Sequence, residues 1–178
     1  PYHQTHSTAV AGLTEIHGGD DRFFNNVFVG SAVIGPDAHG FDARNPSRFL
    51  GFGLWVYNTR DFSLQASGNV YHNEVRPYAK ESGPLTLPAL RPAPRVVEDG
   101  ERVFLELNPP PEWKQAATAL VSTERLGKTR VSGLPFENPD GSPLVVDTDY
   151  SGRKRSPANP TPGPFENPGE GALRLKVW

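Results

Sequence analysis

The sequence predicts an all-β protein, in which the last coils of a right-handed parallel β-helix are followed by a small β-rich C-terminal cap. The chain has 178 residues and contains 19 Pro and 18 Gly. This density leaves little room for long helices, because both residues destabilise helix interiors. The apolar residues fall in short runs separated by Gly, Asn and Asp, which is typical of short strands joined by turns.

Residues 1–76 carry the pattern expected of the terminal coils. Asn25-Asn26-Val27-Phe28-Val29-Gly30 and Gly68-Asn69-Val70-Tyr71-His72-Asn73 share one form, in which Asn precedes an apolar and then an aromatic residue. Asn tolerates left-handed turns and can form side-chain ladders between coils, whereas Val alternates into the interior. These segments therefore predict successive coils of a solenoid. Further strand candidates are Thr8-Ala9-Val10, Leu13-Thr14-Glu15-Ile16, Gly53-Leu54-Trp55-Val56-Tyr57 and Phe62-Ser63-Leu64-Gln65-Ala66.

Proline dominates residues 77–94, which hold five prolines and predict a linker or an extended strap. We expect residues 95–178 to form the β-rich cap, which would cover the strand edges at the open end of a solenoid. Asp99-Gly100 is a strong turn signal between two alternating runs and predicts a hairpin across 95–107.

The rest of the cap has weaker local patterns. Apolar residues at helical spacing favour a helix over 112–126 with Gly127 as its C-cap, and a strand over 119–123 is the competing interpretation. Strands are predicted over 144–150 and over the alternating residues 173–178. A near repeat, with a spacing of 29 residues, relates Leu134-Pro135-Phe136-Glu137-Asn138-Pro139-Asp140-Gly141 to Gly163-Pro164-Phe165-Glu166-Asn167-Pro168-Gly169-Glu170.

The composition argues against several classes of function. The net charge is −2, from 18 basic and 20 acidic residues, so nucleic acid and anionic membranes lose their main electrostatic attraction. No run approaches the ~18 apolar residues that span a bilayer. The absence of cysteine excludes disulfides and thiolate metal sites. A neutral polysaccharide partner is compatible with this balance, and no cofactor is predicted.

The chain opens on Pro1 and contains no Met. We therefore expect it to be the C-terminal end of a longer protein, with the N-terminal remainder as a partner. Since a solenoid needs about three repeats for stability, the few visible coils favour the same view. Assembly into a homo-oligomer is left open.

His17-Gly18-Gly19-Asp20-Asp21-Arg22 is the densest polar cluster. Its carboxylates and imidazole suit acid/base chemistry or the binding of sugar hydroxyls, and Arg22 would orient Asp20 or Asp21. Adjacent residues do not face each other on a strand, so the two aspartates are not expected to form a catalytic pair by themselves. The competing interpretation is an Asp-rich turn in which Arg22 pairs with one carboxylate.

Trp55 and Tyr57 are two residues apart and would share one face of a strand. Facing solvent, they would form a platform for sugar stacking, and facing inward they would fill the coil interior. His6 is a further candidate for contact with substrate.

No metal site is predicted. His3, His6 and His17 could supply three nitrogen ligands, but their spacing matches no standard pattern. A calcium site is left open, because four carboxylates could supply oxygen ligands, although no known calcium-binding spacing is present. These carboxylates are Asp99, Asp140, Asp147 and Asp149.

Three stretches carry a resemblance to known proteins. They are His6-Ser7-Thr8 with Gly18 to Val29, Gly53 to Tyr57, and Glu137 to Pro143 continuing through Asp147 to Gly152. Together they resemble the C-terminal part of bacterial right-handed parallel β-helix proteins from polysaccharide-degradation systems. That group includes β-xylosidase-like and α-fucosidase-like glycoside hydrolases, whose catalytic carboxylates are often on upstream coils.

The resemblance implies a secreted or periplasmic glycoside hydrolase that acts on plant-type polysaccharides or oligosaccharides. Hydrolysis would proceed by general acid/base catalysis with two carboxylates. From this part of the protein, Asp20 and Asp21 are the candidate catalytic residues. The candidate substrate-binding residues are His6, His17, Arg22, Trp55 and Tyr57. The alternative is a non-catalytic capping or carbohydrate-binding module of a solenoid protein.

Overall fold

In the computed structural model of the chain, the described residues are 2–3, 5–12, 19–30, 53–59 and 63–178. Within these ranges the chain is all-β, with almost no helix. No helix in the described part is long and apolar enough to cross a membrane. The strands are β1 Tyr2–His3, β2 Val10–Gly12, β3 Asp21–Phe24, β4 Val27–Val29, β5 Leu64–Ser67, β6 Val70–His72, β7 Leu85–Leu87, β8 Arg95–Asp99, β9 Arg102–Leu107, β10 Val121–Ser122, β11 Val145–Val146 and β12 Leu173–Lys176.

Parallel pairing organises β3 to β7. The strands β3 and β5 pair in parallel, and β4 pairs with β6 so that Val27 lies beside Val70. The two Asn-containing segments therefore stack in register, as their shared form predicts. On its other edge β6 pairs in parallel with β7, which places Leu85 beside Val70. Part of the predicted proline strap thus forms a third layer, because Leu85 and Leu87 pack against the core that contains Val70.

The corners between successive strands require left-handed backbone. Asn25, Gly68 and Gly83 have φ angles of 58°, 66° and 63°, and these three positions follow Phe24, Ser67 and Ser82, which are aligned in parallel. At Gly68 a neighbouring segment also comes close, because a Cβ there would lie 2.9 Å from the Ala117 carbonyl oxygen. Asn and Gly fit these corners because they adopt positive φ more readily than other residues.

Asn69 is fully buried and forms the predicted side-chain ladder. Its Oδ1 accepts hydrogen bonds from the backbone N–H of Asn26 at 2.8 Å and from the Asn26 side-chain amide at 3.0 Å. Its Nδ2 donates to the Phe23 carbonyl and to Glu81 Oε1, both at 2.8 Å. Satisfying all of these polar groups removes the cost of burying them and fixes the register of neighbouring layers.

The strand β6 is buried on both faces. On one face the Tyr71 ring stacks on Phe28, with centroids 5.1 Å apart and planes tilted by 10°, beside Leu54 and Ala66. On the other face Val70 packs with Trp113 and Ala116. Because successive strand residues point to opposite sides, β6 joins the core of the parallel layers to the C-terminal part of the chain.

The continuous helix predicted over 112–126 is wrong. The segment forms a 3₁₀ helix over Pro111–Gln115, then extended chain, then β10, then a single helical turn, α1, over Thr123–Leu126. Ala116 ends the 3₁₀ helix with extended backbone, and the Thr118 hydroxyl hydrogen-bonds to the Pro160 carbonyl at 2.5 Å. These tertiary contacts outweigh local helix propensity. Gly127 is confirmed as the C-cap of α1, with φ 69°.

The predicted hairpin is confirmed. The strands β8 and β9 pair antiparallel, with Asp99 opposite Arg102 across the turn that contains Gly100. The alternating residues near the chain end form β12, which pairs antiparallel with β9. The strand predicted over 144–150 is shorter, since only β11 forms there and pairs with β10. The strand candidate over 13–16 lies outside the described residues.

A buried carboxylate organises the last turns of the chain. The Oδ1 atom of Asp149 accepts hydrogen bonds from the Ser151 N–H, the Ser151 hydroxyl and the Arg153 N–H, at 2.9, 2.8 and 2.8 Å. Its Oδ2 accepts from the Glu166 N–H at 2.8 Å. Burial acts to raise the pKa of Asp149, but these donors outweigh it and hold the pKa at about 2.

This low pKa predicts a specific loss of stability in acid. A carboxyl whose pKa is lower in the folded state stabilises the fold above its unfolded pKa of ~3.9, and this contribution is lost as pH falls toward the folded value. We expect Asp149→Asn to lower the free energy of unfolding at pH 7 by about 1.5–3 kcal/mol, because it removes charge-assisted hydrogen bonds. The difference in the free energy of unfolding between wild type and variant should shrink between pH 4 and pH 2, as measured by urea denaturation at each pH. A constant difference across that range would contradict the assignment.

Candidate functional site

Arg22 and Asp20 form a buried ion pair at the start of β3. The Arg22 side chain is 6% exposed, and its Nη1 donates to Asp20 Oδ1 at 2.9 Å. The other carboxylate oxygen of Asp20 accepts from the backbone N–H of Arg130 at 2.8 Å. Asp20 itself has left-handed backbone, with φ 68°. The sequence predicts that Arg22 orients one of the two aspartates, and in the structure it contacts Asp20.

The same guanidinium ties β3 to the C-terminal part of the chain. Its Nε donates to the Leu126 carbonyl at 2.7 Å and its Nη2 donates to the Lys128 carbonyl at 2.8 Å. Its Cζ atom lies 4.6 Å from the ring centroid of Phe136. Planar Arg suits this arrangement, because one side chain can donate in several fixed directions while stacking on a ring. Arg22 is therefore held almost entirely by contacts within the protein.

His6 reaches the same part of the chain. Its Nε2 lies 2.9 Å from Glu137 Oε1, and Glu137 directly follows Phe136. We call His6, Asp20, Arg22 and Glu137 the outer cluster. Glu137 was missed as a candidate, although the near repeat marked its position. Its counterpart Glu166 is 2% exposed and accepts a hydrogen bond from the Thr161 N–H at 2.9 Å.

Asp21 lies on the opposite face of β3 from Arg22, since side chains alternate along a strand. That face also carries Phe23, whose ring centroid is 6.1 Å from that of Tyr57. Among the described residues, the Asp21 carboxylate has no hydrogen bond or ion pair. The structure therefore separates the two adjacent aspartates, as expected, and leaves Asp21 available for chemistry.

The predicted aromatic strand is wrong. Trp55 and Tyr57 belong to a 3₁₀ helix over Leu54–Tyr57, in which residues two apart do not share a face. The Arg76 guanidinium lies over the Trp55 ring, 4.9 Å from its centroid, whereas Tyr57 packs toward Phe23. A two-ring platform of the predicted kind is not formed, because Gly53 at φ 145° turns the chain into the 3₁₀ helix.

The structure does not assemble a metal site from the residues that it describes. No group of three or more His, Asp or Glu side chains in those ranges is placed to hold an ion. The four carboxylates considered for calcium have separate partners: Asp99 pairs with Arg174, Asp147 with Lys154, Asp140 with Ser142, and Asp149 with the turn described above. His17 and the side chain of His3 lie outside the described part.

Comparison with known proteins adds one solved structure. No family model matches the chain, and no curated protein matches it. The structure of XylC in complex with xylose matches with a TM-score of 0.78 and 30% sequence identity, over 99% of this chain. The chain is similar to part of XylC. It spans 29% of the XylC chain, so the match concerns less than a third of that protein.

Acid/base chemistry in this chain requires a carboxylate whose two oxygens are not both held by hydrogen bonds. Glu81 has a raised pKa, because burial disfavours its charge more than its hydrogen bonds favour it. However, its Oε2 accepts from the Tyr71 hydroxyl at 2.5 Å and its Oε1 accepts from Asn69. Burial also raises the pKa of Tyr71, which remains a donor. Both oxygens of Glu81 and of Asp20 are thus occupied, which leaves Asp21 as the better-placed candidate for acid/base work.

Proposed function

We propose that this chain is part of a carbohydrate-active right-handed parallel β-helix protein, and that the whole protein is a glycoside hydrolase with xylose-containing substrates. The observation that carries the proposal is the match to xylose-bound XylC across nearly the whole chain. The parallel layers β3 to β7, linked by the hydrogen bond between the Asn26 and Asn69 side chains, support a solenoid architecture. The near-neutral charge suits a neutral saccharide.

Asp21 is our candidate for a catalytic carboxylate within this chain. Glycoside hydrolysis needs two carboxyl groups about 5–9.5 Å apart on either side of the scissile bond. Asp20 cannot be the second group without breaking its contacts with Arg22 and Arg130. We therefore place the second carboxylate elsewhere in the polypeptide.

We expect Asp21→Asn, introduced into the whole protein, to lower kcat for an aryl β-xyloside by about 10²- to 10⁴-fold. This is the range typical of the loss of a general acid or base. The thermal midpoint should change little, because Asp21 has no structural partner among the described residues. Asp147→Asn is the matched control, since that carboxylate pairs with the exposed Lys154. Activity of Asp21→Asn within twofold of wild type would exclude Asp21 as a catalytic residue.

A second function is favoured by the outer cluster. Asp20, Arg22 and His6 are bound to other parts of the chain, as expected of a module that caps a solenoid or binds carbohydrate without cleaving it. This alternative predicts saturable binding of xylotriose by calorimetry, with no aryl-xyloside turnover in wild type. Turnover that depends on Asp21 would exclude it.

A further inference from the structure

A cleft in the C-terminal part of the chain contains neither Asp21 nor any residue of the outer cluster. It has a volume of about 260 Å³ and contains Trp113 in its lining. Six of its lining residues are prolines from two segments of the chain, namely Pro109, Pro110 and Pro111, and Pro160, Pro162 and Pro168. Because proline has no N–H, these walls offer C–H surface with few competing donors.

Lys114 and Glu170 form the exposed rim of this proline-walled cleft. Lys114 Nζ lies 2.5 Å from Glu170 Oε1, with the two side chains 74% and 56% exposed. Asn159 and Asn167 add amide groups to the lining. An ammonium has three donors and a carboxylate about four acceptor positions, so the Lys114–Glu170 pair keeps unused capacity for both.

The charge balance of the rim selects the chemistry of the ligand. Lys114 and Glu170 carry one positive and one negative charge, so the pair has no net charge with which to attract a charged ligand. A neutral ligand with several hydroxyl groups can bond to both side chains at once. At about 260 Å³ the cleft is also just below the ~300–1,000 Å³ of sites for drug-sized molecules. One or two sugar rings are of suitable size.

We propose that the proline-walled cleft binds a short neutral saccharide. One C–H face of a pyranose ring lies against the prolines, and its hydroxyls bond to Lys114, Glu170 and the two Asn amides. The ligand class rests on the proposed function, but the cleft contains neither Asp21 nor any member of the outer cluster. The site would hold a saccharide chain on the protein without taking part in its cleavage.

Trp113 provides a reporter that does not depend on catalysis. Its indole N–H donates to His72 Nε2 at 2.8 Å, which gives it a fixed environment. The chain contains three Trp residues, so the indole N–H signals in a ¹⁵N–¹H spectrum can be assigned with Trp55→Phe and Trp178→Phe. We expect xylose, xylobiose and xylotriose to shift the Trp113 signal in a saturable way.

Variants at the rim test the site directly. Lys114→Ala combined with Glu170→Ala should raise the Kd for xylotriose at least tenfold while leaving the spectrum otherwise folded. The control removes the matched exposed pair Lys154–Asp147, with side chains 75% and 42% exposed, and should leave the Kd unchanged. No saturable shift with any of the three saccharides, or an equal Kd in both double variants, would overturn the proposal. A shift produced by a proline-rich peptide but not by saccharides would overturn it too.

The two proposals can fail separately. Saturable binding at Trp113 in a wild-type protein that shows no aryl-xyloside turnover supports the cleft and rejects the hydrolase. Turnover that depends on Asp21, with no shift of the Trp113 indole signal on addition of saccharide, rejects the saccharide site in the cleft but not the hydrolase.

Discussion

Replacing Trp113 with Ala is expected to lower the free energy of unfolding by about 3–5 kcal/mol, the usual cost of truncating a buried Trp. Trp113 is 6% exposed and packs with Val70 and Ala116, between the parallel layers and the C-terminal part. The substitution both opens a cavity and removes the hydrogen bond to His72. Urea denaturation at pH 7 measures the change.

Trp113→Phe separates the two contributions. His72 is fully buried, its Nδ1 lies 2.8 Å from the Leu90 carbonyl, and its Nε2 accepts from the Trp113 indole. His72 is therefore held neutral with its proton on Nδ1, and burial lowers its pKa. The Phe variant keeps most of the ring but leaves Nε2 without a donor, which should cost about 1–3 kcal/mol.

The control for both variants is Trp178→Phe. Trp178 is 79% exposed, and substitutions at such positions usually change stability by less than about 0.5 kcal/mol. If Trp113→Ala is no more destabilising than this control, Trp113 does not connect the two parts of the core.

Replacing Arg22 with Ala is expected to cost about 3–5 kcal/mol, the range found when one partner of a buried ion pair is removed. The change leaves Asp20 without its cation and deprives the Leu126 and Lys128 carbonyls of their donor. Arg22→Lys should recover little of the loss, because a single ammonium cannot reach three separate acceptors. Hydrogen exchange should also increase in residues 126–136, since they lose their attachment to β3.

Arg174→Ala is the matched control for Arg22. Arg174 also pairs with carboxylates, Asp99 and Glu106, and it lies 4.0 Å from the ring centroid of Phe104. It differs in being 46% exposed, and exposed ion pairs contribute about 0–1 kcal/mol. If both Arg variants unfold at the same urea concentration, the Arg22 contacts do not stabilise the fold. If Arg22→Ala stays folded but loses saccharide binding, Arg22 is a binding residue, as the sequence analysis proposed.

Local signals in the sequence predicted several elements correctly. The Pro and Gly content and the short apolar runs indicated the all-β class. The pattern shared by the segments around Asn26 and Asn69 indicated two stacked layers. The stacking depends on an Asn beside the corner and on the alternation of inward and outward side chains in the strand that follows. Asp99-Gly100 identified the hairpin because a two-residue turn carries its own conformational requirement. These features depend on the residues within each short segment.

The candidate site was harder to predict, because its geometry depends on contacts distant in sequence. Asp20 and Asp21 are adjacent in the chain, yet one is fixed by Arg22 and Arg130 and the other lies across the strand. No local pattern indicates that Arg22 reaches a segment 104 residues away in the chain. Glu137 was overlooked for the same reason, since its partner His6 comes from the opposite end of the chain.

Local patterns along the chain define the types of strand and corner from which this protein is built. The tertiary structure breaks residues 111–126 into three short elements, because the Thr118 contact with Pro160 outweighs helix propensity. It also decided that Trp55 and Tyr57 diverge on a 3₁₀ helix and that Trp113 packs against His72. In each case the free energy comes from burial and hydrogen bonds between distant segments, which local patterns do not encode.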